Sequence, residues 1–331
     1  MTLKNIYVLA IFSIVISSCE KTVPPPKFSL IPVRYGPEDI LIDNSTGEDR
    51  ILASCSSRRQ QYGSSGDIVS VNIQDNTFHI MERQGEPEGF ILHPHGFDIV
   101  TISSTTYLYV ITHKSYNDTG NFIVRYIVNN KLLTFDKLYS SPFIVSPNAI
   151  ALLPDGGFYF SNDGNEDLLN IFLKPTNGSL IYSDVDGNMS IAEDGLRYPN
   201  GVAIKGSKLF LATVLGNALY SYDINNDHTL SSKKILCSGY GWDNFRWNGK
   251  TLIAARHSDI PKFLSHYVDA KSYSPSEIAA IDTATGLQDI ILKNDGSIIS
   301  GVSTALIHND KIYCGQIFEP YIVAFDDDYA Y

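Results

Sequence analysis

Short apolar runs follow one another along almost the whole chain, and a polar residue opens them at near-regular intervals. In the first copy, Glu38-Asp39-Ile40-Leu41-Ile42 is answered after a turn by Arg50-Ile51-Leu52-Ala53. The pattern returns as His95-Gly96-Phe97-Asp98-Ile99-Val100 with Tyr107 to Thr112, and as Asn148-Ala149-Ile150-Ala151-Leu152 with Phe158-Tyr159-Phe160. Further copies start at Asn200, at Asp243-Asn244 and at Ser303, each with a return run beyond a short polar turn. Alternating and β-branched runs of this length predict strands, and helical periodicity is nearly absent. Most copies continue into a third run, such as Asp67 to Val71, Phe122 to Tyr126, Ala218 to Asp223, Glu277 to Asp282 and Tyr321 to Asp326. Repeats of about 45–60 residues that each hold four strands predict an all-β, six-bladed β-propeller forming one domain. A large β-sandwich has no reason to place a polar residue at the same point of every repeat.

In a propeller the innermost strand of every blade lines a central channel. The opening residues therefore form a ring at one mouth: Glu38, His95, Asn148, Asn200, Asp243 or Asn244, and Ser303. Carboxylate and amide oxygens without thiolates suit a hard cation, and calcium takes about six to eight of them. The predicted channel is thus a metal-binding one. His95 opens a strand whose turn centres near Ser104, and counting the same distance beyond the turn reaches His113. The two side chains are expected as cross-strand neighbours with Cβ atoms about 5 Å apart. At the channel mouth such a pair suits proton transfer. His93 is expected to face elsewhere, and His257 and His266 in the fifth blade's loop receive no role.

The N-terminus carries a different signal. Lys4 precedes an apolar stretch from Ile6 to Ile16, followed by Ser17, Ser18 and Cys19. This stretch is too short to span a bilayer and has the pattern of a lipoprotein signal peptide, residues 1–18. Ile16-Ser17-Ser18-Cys19 looks like a bacterial lipobox, so Cys19 is expected to become the acylated first residue of the mature chain. Glu20, Lys21 and Pro24-Pro25-Pro26 begin a stiff tether that runs to residue 33, and the propeller fills 34–331. The expected location is exported: a bacterial cell-envelope lipoprotein whose one membrane attachment is the lipid on Cys19.

Composition narrows the function. A chain of 331 residues, 44% of them hydrophobic, can bury a full core. A net charge of −11 without a long basic run argues against a nucleic-acid partner, which requires clustered Lys and Arg. With Cys19 lipidated, Cys55, Cys237 and Cys314 remain; their number is odd and their spacing irregular, so they read as buried single thiols.

Several segments, in order, resemble one family. They are Gly36-Pro37-Glu38-Asp39, Pro94-His95-Gly96, Val110-Ile111-Thr112-His113, and Pro147-Asn148 with Phe158-Tyr159 to Asn162-Asp163. Pro199-Asn200-Gly201, Trp242-Asp243-Asn244, and Ser303-Thr304 through Gly315-Gln316-Ile317-Phe318 complete the set. Together they resemble the paraoxonase/arylesterase family within the senescence-marker-protein-30 and gluconolactonase-like propellers, and the resemblance runs from residue 34 to 326. It implies a catalytic calcium on Glu38, Asn148, Asn200, Asp243 and Asn244, and a histidine dyad at His95 and His113. It also implies hydrolysis of lactones and aryl esters, with some members attacking phosphotriesters. Members with a second, structural calcium have an acidic residue directly after the third-blade asparagine. Asp39 keeps one acidic position of that second site, but Ala149 stands at the other. The cysteine pair that closes the ring in animal members is absent, so closure must rest on strand pairing. The lipid anchor stands where those proteins have an amphipathic N-terminal helix.

These readings converge on a calcium-dependent hydrolase of a small-molecule lactone or ester. Calcium would polarise the carbonyl, and His95, oriented by His113, would activate the attacking water. Asp243 and Glu38 are alternative bases. The rival readings are a phosphotriesterase on the same ring and a non-catalytic, calcium-stabilised surface propeller that binds a partner. Rigidity alone does not require a titratable pair, which favours an enzyme.

Overall fold

The computed structural model describes residues 27–59, 65–115, 120–164 and 176–327. The stretch 1–18 read as a signal peptide, Cys19 and the proline run lie outside the described residues. Within them the chain folds as a six-bladed β-propeller. The innermost strands of the six sheets are Pro37–Asp43, Pro94–Ile102, Pro147–Leu152, Pro199–Lys205, Trp242–Asn248 and Val302–His308. Each begins one or two residues before the polar residue that marks its repeat. From there every blade runs outward as an antiparallel meander, and the second carries an extra edge strand, Glu82–Gln84, parallel to Leu132–Tyr139.

The core lies between the blades. Six apolar clusters of buried residues fill the six inter-blade spaces. Leu52 and Ile68 of the first blade meet Phe97, Leu108 and Val110 of the second. Phe210 of the fourth meets Trp242 and Phe245 of the fifth. Each large side chain fully buried in this way contributes about 1.5–3 kcal/mol. Both faces of every sheet are therefore apolar, which explains why the runs read as continuous rather than strictly alternating.

Closure differs from the expected boundary. Phe28–Pro32 falls within the segment read as tether, yet it forms the outermost strand of the sixth blade. It pairs antiparallel with Tyr321–Asp326, from Phe28 opposite Phe325 to Pro32 opposite Tyr321. Ile31 turns inward and is buried beside Ile322 and Ile51, whereas Phe28 and Leu30 remain half exposed. The propeller thus begins at Phe28 rather than residue 34. Strand pairing closes the ring, as expected, and Cys55, Cys237 and Cys314 are buried free thiols. A further departure lies in the fifth blade's long loop, where Ile260–Val268 forms a helix, α1, capped by Asp259. The Asp259 carboxylate accepts the Lys262 backbone N–H at 3.0 Å.

Candidate functional site

In every blade the register between the first two strands shifts immediately after the first paired residue, as at Pro94/Phe97, Pro147/Ile150 and Pro199/Val202. The same shift occurs at Trp242/Phe245, Pro37/Asp39 and Val302/Thr304. Such bulges re-aim side chains. Here they occur six times at one level and hold the ring residues at the channel mouth. The register also distinguishes Asp243 from Asn244: Trp242 pairs with Arg256 as Pro147 pairs with Asn162 and Pro199 with Thr213. Asp243 therefore occupies the position of Asn148 and Asn200. Asn244 follows it, buried, with its amide donating to Ser303 Oγ at 3.2 Å. Close packing of the inner strands requires glycine at two places. A Cβ on Gly96 would lie 2.3 Å from Asn148 O, and one on Gly201 2.5 Å from Asp243 O.

His95 and His113 stack with ring centroids 4.8 Å apart and planes 26° off parallel. They are neighbours as expected, but the bulge changes the backbone register: the His113 N–H donates to His93 O at 3.2 Å. His113 Nε2 lies 2.8 Å from the Pro147 carbonyl oxygen, so this nitrogen carries the proton. His95 Nε2 is 3.1 Å from Glu38 Oε1, and its Nδ1 is 3.2 Å from Arg58 Nη2. Arg58 also forms an ion pair with Glu38 Oε2. Burial, followed by the Arg58 charge, holds the His95 imidazole well below its usual pKa, while burial lowers Arg58 to about 10.

Two partners of the ring escape the sequence reading. His257 Nε2 lies 2.8 Å from Asp243 Oδ2 with both side chains buried, and its ring stacks on Phe263 of α1 with centroids 4.0 Å apart. Asp163 Oδ2 accepts from the Asn148 amide at 3.5 Å. His113, Asp163 and His257 each follow the residue that pairs with the first residue of its inner strand: Thr112, Asn162 and Arg256. All three therefore hold one equivalent place in their blades. Arg58, in contrast, lies beyond a strand end where no period reaches. His266 forms no part of this cluster; its Nδ1 lies 2.6 Å from Ser272 O.

The donor set can be tested against a hard cation. Asn148 Oδ1, Asn200 Oδ1 and Asp243 Oδ1 are buried and lack a hydrogen-bond partner among the described residues. Buried oxygens are nearly always paired, so three orphans at equivalent ring positions fit a cation that would complete them. Among the described residues no group of three or more His, Cys, Asp or Glu side chains gathers as a metal cluster; amides supply much of this ring. Asp39, the one acidic position kept of a second cation site that Ala149 already breaks, is itself engaged by protein groups. Its carboxylate is held by Arg246 Nη2 at 2.7 Å, Thr304 Oγ1 at 2.9 Å and the Phe97 N–H at 3.2 Å.

The comparisons with known proteins agree with this architecture. A luciferin-regenerating enzyme shares the fold with a TM-score of 0.60 at 12% identity, covering 91% of this chain and 95% of its own. A gluconolactonase from Xanthomonas campestris does so with a TM-score of 0.52 at 13% identity, over 92% and 99%. Serum paraoxonase/lactonase 3 of Homo sapiens is 23% identical over 266 residues, spanning 76% of this chain and 73% of its own. Serum paraoxonase/arylesterase 2 of Bos taurus is 22% identical over 271 residues, or 76% and 75%. The Arylesterase family model matches residues 62–323, from between the second and third strands of the first blade into the last strand, and the chain belongs to that family.

Proposed function

We propose that the chain is a calcium-dependent hydrolase of lactones and aryl esters, with the ion held by Glu38, Asn148, Asn200, Asp243 and Asn244. One observation carries this reading: three unpaired buried oxygens stand at the equivalent inner-strand position of three blades, the position that His95 of the stacked imidazole pair holds in a fourth. Membership of the arylesterase family supports the substrate class. Held by these residues, calcium would supply Lewis-acid polarisation of the substrate carbonyl. The side chains do the rest. Pro147 O fixes the His113 tautomer and ring plane, and the stacked His113 fixes His95. His95 Nδ1, once clear of Arg58, accepts the proton of the attacking water. Asp243 with His257 is the alternative base pair. In the same proposal, lipid on Cys19 keeps the enzyme at a cell-envelope membrane.

The test is turnover of phenyl acetate and of a panel of γ- and δ-lactones, with and without chelator. Calcium-restored activity is expected on at least one class. Calcium-dependent stability with no ester, lactone or phosphotriester turned over would replace this reading with a binding propeller.

Arg58 yields a second expectation. Its guanidinium sits on the carboxylate that the cation needs and adds positive charge beside it. A unit charge about 4 Å away at an effective dielectric of about 20 is worth about 4 kcal/mol before screening. Arg58→Met should therefore tighten calcium binding by about tenfold or more. Unchanged affinity by isothermal titration would show that Arg58 does not compete with the ion.

A further inference from the structure

Two residues beyond the ring along the first two inner strands, the channel holds another group of oxygens. It comprises the carbonyls of Ile40 and Phe97 at that level and the buried carboxylate of Asp39, one residue nearer the ring, with the Thr304 hydroxyl beside the carboxylate. Carboxylates, carbonyls and hydroxyls facing one space are the donors that hard cations use. In this protein a side chain occupies the space. Arg246 reaches across from the fifth blade, its Nη2 2.7 Å from Asp39 Oδ2 and 3.0 Å from Phe97 O, and its Nε 2.7 Å from Ile40 O. The planar guanidinium stays charged and donates in fixed directions, so one group satisfies a carboxylate and two carbonyls together. Asp98 lies in the same field and accepts the Leu152 N–H at 3.0 Å, which extends the connection to the third blade. Ala149, buried in the third blade, has no oxygen in its side chain to complete a metal site.

We infer that Arg246 is a built-in substitute for a second metal ion. It ties the first, second and fifth blades at the channel's inner level, and the folded chain takes up one calcium rather than two. The substitution keeps the positive charge that Asp39 requires when buried, but makes it covalent and independent of the calcium concentration. Mid-channel cohesion then persists under chelation, while only the mouth responds to the ion.

The inference rests on the ring reading only for the single ion counted, and the two fail separately. Bound calcium is measured by atomic emission on the full chain after gel filtration in calcium, and melting is followed with and without chelator. One equivalent per chain is expected, whereas two would overturn the inference and leave the ring reading standing. No bound calcium would remove the ring reading, and melting would still judge Arg246. Arg246→Met should melt about 10 °C lower with calcium and with chelator alike, since it leaves a buried carboxylate unpaired. Because the two groups act as one unit, Asp39→Asn combined with Arg246→Met should melt no lower than Arg246→Met alone. A native-like melting point in Arg246→Met, or additive losses in the double variant, would overturn the strut. If Arg246→Met does not fold, Arg246→Lys decides: it keeps the charge but loses the fork and should melt below the native protein, and equality would count against the inference.

Discussion

In Glu38→Gln, calcium is expected to lose most of its hold on the protein, and hydrolysis should fall with it. The substitution preserves side-chain shape and removes one full charge from the ring's first-blade ligand. A unit charge pair about 4 Å apart is worth about 4 kcal/mol at an effective dielectric of about 20, or several hundred-fold in affinity. Part of that loss returns, because Arg58 gives up its ion-pair partner and no longer competes there. A net weakening of at least about tenfold is therefore expected. It is read as a shift in the calcium concentration that raises the melting temperature, because an ion bound only to the folded state stabilises it by mass action. Asn148, Asn200 and Asp243 should still bind the ion weakly, so millimolar calcium should restore part of the activity. A calcium response identical to that of the native protein would exclude Glu38 from the ligands.

His95→Gln separates catalysis from rigidity. A positioned general base contributes about a hundred- to ten-thousand-fold in rate, so turnover of a responsive lactone should fall by at least about a hundredfold. Calcium binding should scarcely change, because all the proposed ligand atoms are oxygens. His113→Gln should cause a milder loss, since its ring positions His95 by stacking. If His95→Gln retains full activity, attention passes to the other titratable pair, and His257→Gln becomes the decisive variant. His257 binds Asp243 at 2.8 Å in a fully buried contact and holds for the fifth blade the place that His113 holds for the second.

The repeat was legible because physics imposes it six times. Each inner strand must be apolar enough to pack between neighbours, and each begins with a polar side chain at the mouth. The ring members Glu38, His95, Asn148, Asn200 and Ser303 follow from that pattern alone, while the choice between Asp243 and Asn244 needed the strand register. What stayed hidden depends on features without a period. The His113 backbone lies opposite His93 rather than His95, because the turn centres between Ser103 and Ser104 and the bulge then shifts the register by one more residue, an irregularity that counting from a turn cannot register. The closing strand Phe28–Pro32 has its partner at the other end of the chain, so its short apolar run looked like tether. Arg246 stands in an inner strand as an unexplained charge, and its role emerges only when three blades surround it. A cation amid channel-lining apolar residues was a usable signal, because a charge is rarely buried without a partner.

The strand that closes the ring also imposes an order on how the protein comes into being. Phe28–Pro32 is synthesised before every other described strand, while the edge it needs, Tyr321–Asp326, is made last. Throughout elongation the nascent chain carries a short apolar segment with no hydrogen-bonding partner. The sixth blade cannot be completed by any local event, and the final pairing closes a loop that contains all five other blades. Long loops cost entropy and contacts distant in sequence form late, so this last step should govern the rate at which the native state appears. Until it happens, the open first and sixth blades present apolar faces and an unpaired edge, the surfaces through which incomplete β-proteins associate with one another.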